Sequence, residues 1–203
     1  MRHSFFTEQR PHRGLTYGEY LSLVQQRAEQ DVRGMPDEQV ERIEFTRLNL
    51  NRMQRISRTY RVSDELDSLL QRIGRPQLWM VLTEPWCGDS AQCVPYVERM
   101  AARNEFIRLR LLLRDENLDV MDLYLTEGKR GIPKLVAFEA DGQEVFRWGP
   151  RPRAAQAVFE EARASGLEKP QILEKLHLFY GRDRGRSIEA EFVGLLARLT
   201  SHS

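Results

Sequence analysis

The run QLWMVLTEP, residues 77–85, constrains the fold more than any other stretch of the chain. Its apolar residues are consecutive rather than alternating, so a strand here is buried on both faces. Upstream, periodicity predicts helices. LTYGEYLSLVQQRAEQ places Tyr17, Tyr20, Leu21, Val24 and Ala28 at three- and four-residue spacings. MPDEQVERIEFTRLNLNRMQRISRTY carries Pro36 and acids in its first turn and a stripe of Val40, Ile43, Leu50, Met53 and Ile56. SDELDSLLQRIGRP starts on an N-cap candidate, Ser63, and stops at Gly74 with Pro76 beyond.

Downstream the elements alternate. SAQCVPYVERMAARN predicts a helix interrupted by Pro95, and FIRLRLLLRDEN a strand with Ile107, Leu109, Leu111 and Leu113 on one side. DVMDLYLTEG predicts a short helix ending at Gly128; GIPKLVAFEADGQEVFRWG predicts two strands joined at Asp141-Gly142. PRAAQAVFEEARASG is an amphipathic helix stopped by Gly166. IEAEFVGLLARLTSHS closes the chain as a last helix after LHLFYGRDRGRS, where Asp183 and Gly185 mark a turn. The order β-α-β-α-β-β-α, a parallel pair feeding an antiparallel hairpin, is that of an α/β layered domain.

The 203 residues suit one domain of ordinary size, or a domain of about 110–130 residues with helical additions. A net charge of +1 gives no electrostatic case for nucleic acid or an anionic membrane. The arginine clusters RWGPRPR and GRDRGR are expected to be solvated surface. No apolar run approaches a membrane span, and MRHSFFTEQRPHRG lacks the apolar segment of a secretory signal. Two cysteines are too few for a disulfide scaffold, so a reducing, cytoplasmic setting is expected. His3, His12, His177 and His202 lie toward the chain ends, none at metal-ligand spacing from a cysteine, so neither metal nor cofactor is expected.

Both cysteines fall in EPWCGDSAQCVPY, residues 84–96. A strand ends at Thr83–Pro85 and a helix begins near Cys87, so its thiol meets free backbone N–H groups and the positive end of a helix dipole. Both favour thiolate, and a pKa below the ordinary ~8.5 is expected. Gly88 lets a partner's backbone approach, and Trp86 supplies an apolar wall. Asp89 is a candidate helix cap or a steering charge for a cationic partner.

The stretch Trp86-Cys87-Gly88-Asp89-Ser90 resembles the active-site pattern of the thioredoxin superfamily, Trp-Cys-Gly-Pro-Cys at a strand-to-helix junction. Pro95, eight residues after Cys87, stands where that family kinks its active-site helix. Gly131-Ile132-Pro133 is similar to the segment whose cis-proline faces the reactive sulfur and presents backbone to substrate, which implies a cis Ile132–Pro133 bond and substrate contacts at Ile132 and Pro133. GKRGIPKLVAFEADGQEVFRWGPRP looks like a bacterial thioredoxin-like branch with helical extensions. The resemblance implies a three-layer α/β/α fold with a mixed sheet. Residues 1–74 are then a helical N-terminal extension, 75–166 the thioredoxin-like core, and 167–203 a C-terminal helical extension with one extra helix packed on the core.

Departures from the pattern shape the functional expectation. Ser90 occupies the resolving-cysteine position; a hydroxyl cannot release a mixed disulfide, though it can hydrogen-bond the Cys87 thiolate. Val81 stands where the family carries a buried Asp, and Glu84 is a candidate proton acceptor in its place. If the helix is regular, Cys93 lies ~9 Å of rise beyond Cys87, too far for a disulfide without unwinding. Cys93 is then a packing residue, or else a secondary thiol in a helix-unwinding peroxidase or dithiol variant. Arg151 and Arg153 are candidate contacts for an acidic substrate or simply exposed turn residues.

Two functions of different class remain open. One is a monothiol-type thiol–disulfide oxidoreductase acting through Cys87 and Ser90 on protein or small-molecule mixed disulfides, Trp86, Gly88, Asp89, Ile132 and Pro133 lining the substrate site and an external thiol resolving the adduct. The other is a non-catalytic protein-binding or redox-sensing module on the same fold.

Overall fold

The computed structural model describes residues 3–200. Its centre is a mixed four-stranded sheet in the order β2-β1-β3-β4, built from β1 (Gln77–Thr83), β2 (Ile107–Leu113), β3 (Lys134–Glu139) and β4 (Glu144–Trp148). Strand β1 runs parallel to β2, with Val81 opposite Leu111, and antiparallel to β3, with Val81 opposite Leu135. All seven β1 residues are buried, as the unbroken apolar run requires of a strand paired on both edges and covered on both faces.

Alternation along β1 sends its side chains into two apolar clusters. Trp79 and Val81 enter the larger one; Leu78, Met80 and Leu82 enter the smaller. The smaller is closed by two short helices, α1 (Ser4–Thr7) and α6 (Leu118–Met121). There Phe5 and Phe6 pack on Phe138 with ring centroids 6.2 and 5.1 Å away. The other face carries the long helices: α2 (Tyr17–Ala28), α3 (Asp37–Thr59), α4 (Asp64–Gln71), α5 (Gly88–Ala101), α7 (Arg153–Ala164), α8 (Lys169–Asp183) and α9 (Arg186–Thr200).

Local signals act where expected. Ser63 Oγ accepts from the Leu66 amide at 3.3 Å and caps α4. The β3–β4 turn places Gly142 at φ +88°, where any Cβ would lie 2.7 Å from Phe6. Asp183 accepts from the Ser187 amide and hydroxyl and caps α9 after Gly185, at φ +86°. Strand β2, at the sheet edge, is partly covered by Leu15, whose backbone exchanges two 2.8 Å hydrogen bonds with Leu111.

Two expectations need correction. The chain adds two C-terminal helices to the sheet core, not one: Lys169–Asp183 is helical, with Pro170 at a position where its missing N–H costs nothing. The segment before Gly128 is helical only over Leu118–Met121, and a turn closed by Thr126 and Lys129 follows. The last helix is described to Thr200; its expected end, with His202, lies outside the described residues.

Candidate functional site

Cys87 caps α5. Its backbone is extended (φ −78°, ψ 118°), and its sulfur accepts the Ser90 amide at 3.4 Å. On the other side the thiol donates to the Ile132 carbonyl at 3.3 Å. The Ile132–Pro133 bond is cis, as expected, and a second cis bond joins Gly149 to Pro150. Gly131 lets the Pro150 ring come close: a Cβ there would meet Pro150 Cγ at 3.2 Å. Gly149, at φ +106°, leaves no room for a side chain, because a Cβ would lie 2.2 Å from the Pro133 carbonyl oxygen. Two tightly apposed turns therefore hold the Ile132 carbonyl against the sulfur.

At Cys87 the pKa shift runs opposite to the expected one. Burial pushes the Cys87 thiol up to about 11, and the Asp89 carboxylate adds to the rise; the Ser90 and Asp89 groups that favour ionisation oppose it without prevailing. Helix-terminus effects are worth ~0.3–1 kcal/mol at exposed sites, whereas desolvation moves buried groups by up to ~3–5 pKa units. Ser90 Oγ is buried beside the thiol and has no hydrogen-bond partner among the described residues, so a donor stands ready for the anion while the thiol proton is given to Ile132.

Helices α3 and α8 wall the site. From α3, the fully buried Asn49 donates to the Pro85 carbonyl at 2.9 Å and accepts from Arg52 at 2.9 Å. From α8, Leu173, Leu176, His177 and Tyr180 face Trp86, Cys87 and Gly88 across a cavity of about 210 Å³, with Phe45 of α3 on its margin. His177, expected only as a chain-end residue, is thus one of the wall residues. Burial and the neighbouring Arg52 lower its pKa to about 4, so the ring is neutral. Sequence reasoning missed Arg52, His177 and Tyr180. Only the helical period of α8, which places Leu173, Leu176, His177 and Tyr180 on one face, could have grouped three of the wall residues with Tyr180.

Asp89 does not cap α5, whose N-cap is Cys87; its carboxylate is engaged within the protein. Its carboxylate accepts from Arg151 Nη2 at 2.6 Å and Nε at 3.1 Å, and from the Tyr180 hydroxyl at 2.6 Å. Arg151, expected in solvent or on a substrate, is only 15% exposed in this pair. The clamp ties the N-terminus of α5 to α8 and to the turn after β4. Arg153 borders a different cavity, against α9.

The remaining candidates fall apart from the thiol. Cys93 is buried on α5, its sulfur 4.0 Å from Tyr180 Oη, and both cysteines are free. Burial raises its pKa well above the usual range. Val81 is buried among apolar side chains. Glu84 is buried too, but its carboxylate accepts the Asp115 amide at 2.9 Å and lies 3.7 Å from Arg27, on the far side of Trp86. The Arg42 and Arg114 guanidinium groups lie 5.2 and 4.9 Å from the centroid of the Trp86 ring. Among the described residues no group of three or more His, Cys, Asp or Glu side chains is arranged for a metal, and no helix is long and apolar enough to cross a membrane.

Among solved structures, the chain is similar to a protein of unknown function from Pseudomonas aeruginosa, at 16% identity and a TM-score of 0.57, over 92% of this chain and 94% of that one. It is likewise similar to an HIV epitope-scaffold, at 16% identity and a TM-score of 0.56 over the same shares. At this identity the likeness concerns the fold alone. No curated protein sequence matches. A family model described as thioredoxin matches residues 36–163, a span that takes in α3 and α4 as well as the sheet, the Cys87 junction and the cis-Pro133 turn. The chain belongs to the thioredoxin family.

Proposed function

We propose that this protein is a monothiol-type thiol–disulfide exchange protein in which Cys87 attacks mixed disulfides and an external small thiol regenerates it. The observation that carries the reading is the placement of Cys87 at the α5 N-terminus, 3.3 Å from the Ile132 carbonyl and open to a cavity of about 210 Å³. Ser90 in the second-thiol position fits a reaction needing one protein sulfur. A cytoplasmic, reducing setting that supplies the regenerating thiol, and a bacterial CxxS lineage, belong to the same proposal.

The raised thiol pKa makes such exchange slow rather than absent. At pH 7.5 a pKa of about 11 leaves roughly 300-fold less thiolate than the ordinary ~8.5 would. The intrinsic nucleophilicity of the more basic anion returns roughly tenfold of that. Turnover of a mixed disulfide with a supplied thiol tests the reading; no turnover, or turnover unchanged in Cys87→Ser, sinks it.

The protected thiol also favours a second reading, a non-catalytic binding or redox-sensing module. A partner recovered equally by the wild-type and Cys87→Ser proteins, with no turnover, would select it.

A further inference from the structure

The cavity beside Cys87 is made largely by the helical additions, not by the strand–helix junction that carries the thiol. Its volume, about 210 Å³, is below the ~300–1,000 Å³ of sites that enclose drug-sized ligands. It therefore suits a small molecule rather than a segment of folded protein.

Two polar groups in this mainly apolar lining lack the partner their chemistry calls for. Arg52 is half-buried and fixed by its hydrogen bond to Asn49, yet no carboxylate among the described residues pairs with it. Burial and the nearby Arg55 lower its pKa, the direction taken by a guanidinium without a counter-charge. His177 Nδ1 is buried with no hydrogen bond among the described residues, and the adjoining Cε1 lies 3.5 Å from the position a Gly88 Cβ would occupy. The acid in the lining, Asp89, is engaged by Arg151 and Tyr180. Lys169, exposed at the rim, adds positive charge.

We infer that this cavity binds small carboxylate-bearing thiols and their disulfides, with Arg52 holding the carboxylate, His177 hydrogen-bonded to a polar group of the ligand, and Phe45, Leu173 and Leu176 covering its apolar body. The inference rests on the exchange reading above and names its substrate class. Cys87, as thiolate, attacks one sulfur of R–S–S–R′. The Cys87–S–S–R bond forms as the S–S bond breaks, and R′–S⁻ leaves with the electron pair, free to take up the proton that Cys87 released. A second small thiol, R″–S⁻, attacks the Cys87 adduct, forms R–S–S–R″ and returns Cys87 to the reduced state. Thiols and disulfides are conserved in number throughout.

The test compares the rates at which dithiodipropionate (anionic), hydroxyethyl disulfide (neutral) and cystamine (cationic) modify Cys87, read by mass spectrometry of the Cys87 peptide. A charge-assisted contact to one carboxylate should favour the anionic probe over the cationic one by about tenfold or more. Arg52→Gln should abolish that preference, and Arg52→Lys, which keeps the charge, should retain most of it. Equal rates on the wild type, or a preference unchanged in Arg52→Gln, overturn the assignment of the cavity and leave exchange at Cys87 standing. Calorimetry of thiodipropionate, a thioether that cannot exchange, on Cys87→Ser covers the case in which no probe reacts. Arg52-dependent binding then supports the carboxylate site and overturns the exchange reading alone; no binding overturns both.

Discussion

Replacing Asp89 should weaken the fold and quicken the thiol at the same time. In Asp89→Ala the Arg151 guanidinium, 15% exposed, and the Tyr180 hydroxyl lose the acceptor they share at 2.6 Å. Removing one partner of a buried ion pair costs ~3–5 kcal/mol, and an orphaned hydroxyl ~1–3 kcal/mol. The two losses share one carboxylate and are not additive, so a total of about 4 kcal/mol is expected. For a chain of this size each kcal/mol lowers Tm by ~2–4 °C, giving a fall of roughly 8–16 °C; Asp89→Asn, which keeps one carbonyl acceptor, should lose about half of that. The same charge is the second cause holding the Cys87 thiol up, so its removal lowers that pKa and speeds alkylation by neutral iodoacetamide at a fixed pH near 8. Calorimetry gives the first quantity and mass spectrometry of the Cys87 peptide the second. A Tm unchanged within about 2 °C, or Cys87 alkylation no faster than wild type, refutes the clamp. Equal acceleration of Cys87 in a similarly destabilised variant that keeps Asp89, such as Gly149→Ala, refutes the electrostatic part, because it reports unfolding instead.

The neutral, buried His177 takes its proton only near pH 4 when folded but near its ordinary 6.5 when unfolded. Its stabilisation is therefore complete above pH 6.5 and lost as pH falls toward 4, by up to ~3 kcal/mol before solvent screening reduces it; denaturant titrations of His177→Leu should show a flatter profile across that window, and an identical profile would exclude the assignment. Gly149→Ala should cost at least ~2 kcal/mol, since φ is +106° and the new Cβ would meet the Pro133 carbonyl at 2.2 Å; a stability equal to wild type in urea would contradict the packing of the two turns. Ser90→Cys places a second thiol one helical turn from Cys87, and non-reducing peptide mapping after mild oxidation should find a disulfide between Cys87 and the introduced thiol. A Cys87–Cys93 bond in that variant would mean that α5 unwinds.

What local chemistry dictates was legible before the structure. The unbroken apolar run of β1, the Ser63 cap and the Asp141-Gly142 turn each depend on a few adjacent residues, and the cis bond before Pro133 was implied by the family resemblance. The walls of the site were not, because they join distant segments: Tyr180 and Asp89 are 91 positions apart, and Arg151 and Asp89 are 62. Helix α8 was hidden by Pro170 at its start and by the glycines and arginines of GRDRGR at its end. Asp89 looked like a free first-turn acid because nothing near it in the chain shows that Arg151 comes back to it. The thiolate expectation failed for a related reason. The helix terminus that favours the anion is written in the local sequence, whereas the desolvation that opposes it comes from α3 and α8 closing over the junction.

The most direct test of the central claim, that Cys87 is the more exposed of the two cysteines and is held protonated, is the pH dependence of alkylation at each cysteine of the native protein, followed by peptide mass spectrometry. The expected result is a Cys87 rate that climbs through pH 9 and 10 toward a midpoint near 11, with Cys93 protected throughout. A Cys87 midpoint well below ~8.5, or Cys93 reacting as fast as Cys87, would contradict it.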